Sequence, residues 1–421
     1  MKLKGVFAIN KFKTSVLAIK PFRYFFGAQL AAQFGDSFSY IGLPILIYSL
    51  TGSTFALAGS FIFLLLPNIL LGPILGGIVD RYNRKRMMIF SDIMRAFLVA
   101  TMPFLDNITL IFIIIISLSI LDILFDAAKG AIIPNIVPNE KIIDANVISQ
   151  TWGQTISLIA PSVAGLIIFL FGVQYAFIIN SMTFVISAIL LLRVTLDNKS
   201  QKNESSREKN QIVNNFKVSL KTVRSNHILF WAVGLMTVLG LTAVPSTILR
   251  VPFIEDNLSG TSAHIGYAST CWSLGAMFAG LVTAKISKKI GKINTIIIGM
   301  IIASFASLSN SISTSIPVFL IGSIFVGIGN GISQPMVYTL YQELIPNELY
   351  GRVLGVILSI TSFVSLFGIL LTGPLSQIIG VREIYISAAV LAVVISLSAK
   401  FLIKNNPEKT KDIPSFDKAS L

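Results

Sequence analysis

Gln29, Gln33, Asp36 and Tyr40 stand four, three and four residues apart within an otherwise apolar run, a spacing that stacks them on one face of a helix. Two amides, a carboxyl and a phenol along one stripe can hold a polar group or move a proton. If the run crosses a bilayer, the stripe must face a cavity or another helix, because a charge at the membrane centre costs about 2.5 to 3.5 kcal/mol on insertion scales. Asp36 is the first candidate for a substrate or proton site, since an apolar setting lets a carboxyl load and release a proton during a cycle. A permanent hydrogen bond to a neighbouring helix is the structural alternative. Asp122, Asp126 and Lys129 share a face of a later run. Asp126 and Lys129, three residues apart, can neutralise each other, whereas Asp122 has no such partner on its own helix. Asn330, Gln334, Tyr338 and Tyr341 repeat the pattern further on, as cavity residues or as ordinary interhelical hydrogen-bonding groups.

The elements that must position these residues are long apolar runs. With 421 residues, 54% hydrophobic and only 12% charged, the chain carries more apolar surface than a soluble domain can bury, so its medium is the lipid bilayer. Six runs, about 22–50, 55–79, 85–104, 108–133, 145–170 and 174–194, form a first bundle over 22–194. A polar linker follows over 195–227, with a short amphipathic helix expected near Lys217 to Arg224. Six more runs, about 228–252, 264–287, 292–312, 316–341, 349–378 and 383–403, form a second bundle over 228–403. A basic, interface-lying segment over 1–21 and a polar tail over 404–421 flank the two. The expected fold is an all-α membrane protein of twelve transmembrane helices in two pseudo-symmetric bundles. Lys and Arg gather in the termini, the linker and the 81–86 and 285–292 loops, which predicts that both termini are cytoplasmic. The net charge of +14 is spread between apolar runs, so its partner is an anionic leaflet rather than nucleic acid. Internal matches at a shift of roughly 204 to 208 residues, such as Gly76 with Gly280, Pro138-Asn139-Glu140 with Pro346-Asn347-Glu348, Asp122 with Asn330 and Asp126 with Gln334, predict a duplicated six-helix unit.

Between the second and third runs lies Gly76-Gly-Ile-Val-Asp80-Arg81-Tyr-Asn83-Arg84-Lys85-Arg86. This spacing resembles the signature loop of the major facilitator superfamily, with Asn83 where that family usually has glycine. Further stretches, Gly35-Asp36-Ser37, Ile133-Pro134-Asn135-Ile136-Val137-Pro138 and Gly351-Arg352-Val353, resemble its macrolide-efflux-like branch of drug and proton antiporters. The resemblance implies a cavity lined by the first, fourth, seventh and tenth helices. With that fold, Gly76, Asp80, Arg81, Arg84, Asp92 and Arg95 are expected to form a cytoplasmic gate, with topology anchoring as the simpler role for the cations. Pro161 and Gly165 lie in Ala160-Pro161-Ser162-Val163-Ala164-Gly165, which resembles a helix-bending element of such exporters, although a plain packing kink explains it as well. The family's usual fourth-span arginine is absent: Ser117, Leu118 and Ile120 occupy that neighbourhood.

These features predict a secondary transporter of the cell membrane, working as a monomer, that exports a small apolar or amphipathic compound in exchange for protons. A lysophospholipid or siderophore carrier of the same fold is the alternative within transport, and a non-transporting sensor or scaffold the alternative outside it. No phosphate-binding loop, no cluster of metal ligands and no nucleophile with a paired base recur, so neither cofactor nor metal nor enzymatic activity is expected. Cys271 stands alone, and His227 and His264 are isolated from each other.

Overall fold

The apolar runs fold as the period predicts. A computed structural model describes residues 16–79, 82–195, 219–345 and 349–404, and among these twelve helices are long and apolar enough to cross a membrane, with no strand. The spans are α1 (Lys20–Thr51), α2 (Thr54–Val79), α3 (Arg84–Thr101), α4 (Ile108–Ile136), α5 (Ile142–Phe171) and α6 (Val173–Leu192). They continue with α7 (His227–Ile248), α8 (Ser262–Ile290), α9 (Lys292–Ser311), α10 (Ile316–Leu344), α11 (Tyr350–Ile379) and α12 (Val381–Lys404). Residues 219–225 form a short helix where one was expected in the linker. The basic N-terminal stretch 1–15, linker residues 196–218, the tail 405–421, Pro346-Asn347-Glu348, Asp80 and Arg81 lie outside the described residues.

Local chemistry sets the helix ends. Asn83, Asn107 and Asn226 each accept hydrogen bonds from backbone N–H groups of the first turn that follows, satisfying donors that no carbonyl can reach. Gly172 (φ 99°) and Gly380 (φ 116°) join consecutive spans in a single residue, a backbone state open to glycine and strained for other residues. The pairs Gly172 and Gly380, Asn107 and Ser315, and Asn83 and Gly291 all stand about 208 residues apart. The duplication expected from loop motifs therefore also runs through the helix caps.

The chain condenses into two units, Met1–Ser205 with Gly260–Thr270, and Ser206–Ser259 with Cys271–Leu421. Within the first, α1 packs on α5 and α6, α3 on α4 and α6, and α2 on α4. Its core gathers Phe22, Phe25, Met88, Phe125, Ala128 and Leu191. Within the second, α7 packs on α11 and α12, and α9 on α10 and α12, the same pairings displaced by six helices. Its core gathers Leu229, Met300, Val337, Leu340 and Val353. Large side chains such as Phe97, Phe104, Met182, Leu281 and Ile378 stand exposed, as a lipid medium permits.

The seventh apolar run, expected to reach residue 252, stops as a span at Ile248. Its remainder continues as a short helical turn, Arg250–Pro252, and a π-helical turn, Phe253–Asn257, where Phe253 is fully buried and stacks on Tyr385 at 4.4 Å, while Tyr385 Oη donates to Ser246 O at 3.0 Å. Outside the spans, burial and then the neighbouring Asp256 push the Glu255 carboxyl above its usual range.

Small residues allow the closest approaches. A Cβ on Gly327 of α10 would lie 1.9 Å from the carbonyl oxygen of Trp272 on α8, where backbone rather than a mobile side chain stands in the way. Gly327→Ala should therefore force the two helices apart and cost about 1–3 kcal/mol. Gly234→Ala, with nothing within 4 Å, should be neutral or stabilising. Thermal unfolding of the two variants in detergent would show the difference, and equal melting temperatures would refute it.

A charged centre in the first unit

Helix α1 is held against α6 by two small contacts. A Cβ on Gly35 would lie 1.8 Å from Thr183 Oγ1, and Asn180 Nδ2 donates to Ser39 Oγ at 2.5 Å. Because Gly35 and Ser39 face α6, the next residue, Asp36, is turned roughly 100° away from it. Asp36 lies midway along the span yet is exposed, so its carboxyl faces an opening among the helices. Among the described residues it takes no hydrogen bond and no ion pair. The charged groups close enough to act on it are Asp122, Arg95, Asp92 and Asp126.

Helix α3 carries Asp92 and Arg95 one turn apart, with Asp92 fully buried and Arg95 only 3% exposed. Arg95 forks between two carboxylates: Nη2 donates to Asp92 Oδ1 at 2.5 Å and Nη1 to Asp122 Oδ1 at 2.6 Å. Ser187 Oγ of α6 donates to the other Asp92 oxygen at 2.6 Å. The guanidinium carbon also lies 4.3 Å from the Phe125 ring centre and 4.5 Å from that of Phe184, within the range of cation–π attraction. Three helices each supply a pair at i, i+3: Asp92 with Arg95, Asp122 with Phe125, and Phe184 with Ser187. Side chains three apart share a face, so each helix presents its pair to one centre. The centre joins two carboxylates to one guanidinium, and an aspartate, Asp36, faces the opening beside it.

The other expected site residues distribute as follows. Asp126 and Lys129 pair at 2.7 Å in the C-terminal half of α4, both partly solvated. Gln33 Nε2 donates to Gly153 O at 3.2 Å and lies 3.4 Å from Ser157 Oγ, tying α1 to α5. Gln29 keeps a buried Oε1 without a donor, and Tyr40 is half exposed. Asn330, Gln334 and Tyr338 lie on α10 in the second unit, where Tyr338 meets the buried Tyr341 edge-on at 6.2 Å. Of the expected gate, Gly76 falls in α2 and Arg84 begins α3, while Asp92 and Arg95 lie about 12 and 16 Å further along that helix at 1.5 Å per residue. Of the partners of Arg95, Asp92 is fully buried and Asp122 is half exposed. Pro161 and Gly165 belong to a close backbone contact within the first unit, for a Cβ on Gly165 would lie 2.8 Å from Gly266 Cα. Ser162 Oγ donates to Thr270 Oγ1 at 2.6 Å beside it, so the start of α8 groups with the first unit rather than with the bundle expected over 228–403. Ser187, Phe125 and Phe184 were not among the expected site residues. Their only sequence signal is the shared i, i+3 spacing.

The family profile described as Major Facilitator Superfamily matches residues 25–251 and 242–420. Among curated proteins, the chain is 25% identical to the uncharacterized MFS-type transporter YfiS of Bacillus subtilis, over 88% of this chain and 90% of that protein. It is 23% identical to Macrolide efflux protein A of Streptococcus pyogenes, over 82% and 87% respectively. Among solved structures, the nucleoside transporter NupG superposes with a TM-score of 0.73 at 13% identity, covering 91% of this chain and 100% of that one, which is a likeness of fold.

Proposed function

We propose that this chain, which belongs to the Major Facilitator Superfamily, exports a small apolar or amphipathic compound across the cell membrane by proton antiport and alternating access. The observation that carries the reading is Asp36, a carboxyl in mid-span that faces an opening without a bonded donor, beside a centre whose other charges are tied to one another. Such a group can exchange a proton with water while its neighbours hold their charges. Similarity to Macrolide efflux protein A supports efflux as the direction and a drug-like molecule as the cargo. Cytoplasmic termini, as the distribution of Lys and Arg favours, would place the 81–86 loop on the side from which cargo is loaded. One charge crossing 100 mV releases about 2.3 kcal/mol, so at 1.36 kcal/mol per decade one proton per cycle sustains a gradient on the order of 50-fold.

The test is uptake into inside-out vesicles of a panel that includes a radiolabelled macrolide and ethidium, with and without an acidic lumen. Accumulation of at least one compound that depends on the pH gradient and collapses with a protonophore is the expected result. Equal retention by empty vesicles for the whole panel would reject the reading.

A further inference from the structure

We propose that the face shared by α3 and α6 binds a phospholipid with an anionic headgroup, Arg86 and Arg193 taking the phosphate and two apolar stripes beneath them taking the acyl chains. The site uses none of the residues of the charged centre and stands independently of what the chain carries.

Two ties fix how the helices meet. At one end Lys85 Nζ donates to Leu192 O at 2.8 Å, and further along α3 the carbonyl of Ala96 accepts from Ser181 Oγ at 2.8 Å. Lys85 lies with Leu192 and Ala96 with Ser181, so the two helices run antiparallel. One residue beyond each tied position stands a member of the site: Arg86 and Phe97 on α3, Met182 and Arg193 on α6. A single step turns a helix by about 100°, and in antiparallel helices that step carries both to the same side of the seam. On that side α3 presents Arg86, Phe90, Ile93 and Phe97, spaced four, three and four. Helix α6 presents Met182, Ile186, Ile189 and Arg193 with the same spacing in reverse register, and all of these side chains are exposed. From Arg86 to Phe97 the stripe runs about 16 Å at 1.5 Å per residue, the depth of one leaflet in a hydrocarbon core of about 30 Å.

An anionic phospholipid matches this face at both ends. Among the described residues neither Arg86 nor Arg193 pairs with a carboxylate. Arg193 instead lies 5.9 Å from the centre of the Tyr24 ring, and Arg23 lies at the same distance from that ring, so a third exposed guanidinium joins the edge from α1. Guanidinium groups without carboxylates favour a phosphate, with which arginine makes paired, charge-assisted hydrogen bonds. Directly below the arginines the surface turns apolar, with Phe97 65% and Met182 60% exposed at its far end. A soluble polyanion would leave those stripes uncovered, and a zwitterionic lipid would bring an ammonium group into a cluster of cations. A lipid of net negative charge satisfies the arginines and covers the stripes with one molecule.

Native mass spectrometry of the full chain, released from a neutral detergent and titrated with phosphatidylglycerol or phosphatidylcholine, reads bound lipid directly. The wild type should retain a first phosphatidylglycerol at concentrations where phosphatidylcholine leaves it bare. Arg86→Gln with Arg193→Gln should weaken that binding about 30-fold, and because both side chains are exposed the fold has little to lose. Phe90→Ser with Ile189→Ser keeps every cation and should also weaken it, since the acyl chains lose their footing. Lys285→Gln with Lys289→Gln removes the same charge from the exposed end of α8 and should leave the first lipid in place. Equal weakening by the lysine variant would reduce the effect to net charge and overturn the assignment. So would release of the lipid by millimolar inorganic phosphate but not by chloride at the same ionic strength, which would mark a site for a soluble anion. A dimer that forms without bound lipid and falls apart in the arginine variant would give the face to a second copy of the chain, and would overturn it too.

Discussion

Replacing Arg95 with methionine should destabilise the first unit more than any other single change to its charges. The substitution keeps much of the side-chain volume but removes the one cation that, among the described residues, is bonded to Asp92, which is fully buried and would keep the Ser187 hydroxyl. Breaking a buried ion pair from one side costs about 3–5 kcal/mol because the remaining charge stays out of water. For a unit of this size that corresponds to a fall in melting temperature on the order of 10 °C, measurable in detergent by fluorescence-detected unfolding. Asp122 adds less to the loss because its side chain is half open to solvent. The double variant Arg95→Met with Asp92→Leu removes both members of the buried pair and should recover most of the lost stability, since the two residues share one interaction. It should not recover transport. An Arg95→Met protein that melts with the wild type would show that the fork carries no stability.

Asp36→Asn should eliminate gradient-driven efflux at unchanged membrane abundance. Asparagine matches the shape of aspartate, and position 36 is exposed with no bonded partner among the described residues, so folding has little to lose. The neighbouring contacts that seat α1, Gly35 against Thr183 and Ser39 with Asn180, do not involve it. What disappears is the ability to bind and release a proton. Accumulation against a gradient should fall to the level of empty vesicles, while counterflow of preloaded compound, which needs alternating access but no net proton movement, should persist. Retention of a wild-type response to the imposed pH gradient would move the coupling proton elsewhere.

The fold and the charged centre differ in how far sequence reveals them, for a physical reason. Hydrocarbon demands about twenty apolar residues per crossing and leaves every backbone bond to be made within the helix, so the twelve spans are legible from composition alone. The Asp126–Lys129 pair is legible too, since i, i+3 geometry is local. The Arg95–Asp122 bond joins residues 27 apart on two helices, and no local rule states which faces of α3 and α4 meet. Ser187 is harder still: serines are common in these spans and usually bond within their own helix, as Ser304 does to Met300 O and Ser323 to Phe319 O. The seventh run shows the reverse difficulty, for its apolar continuation through Phe253 lies in separate short helical turns and is buried against Phe319 and Tyr385. An apolar residue records burial without recording whether lipid or protein provides it.

The placement of Asp92 and Arg95 on the same helix also bears on how the chain is made. As α3 leaves the ribosome and meets the translocon, α4 follows it in the chain and has not yet emerged, and α6 is not yet synthesised, so neither Asp122 nor Ser187 is there to meet its charges. The i, i+3 bond gives the nascent segment its own counter-ion, and it can partition into lipid as a neutral pair. Asp122 then arrives to a guanidinium already in place, and Ser187 closes the arrangement last. Moving the acidic partner from α3 to a later span, in Asp92→Leu with an aspartate supplied in place of Ser187, would preserve the final charge count but leave Arg95 alone in the membrane during synthesis. Such a chain should insert poorly even though its finished ion pair would resemble the native one, which makes the order of synthesis a constraint on which helix carries each charge.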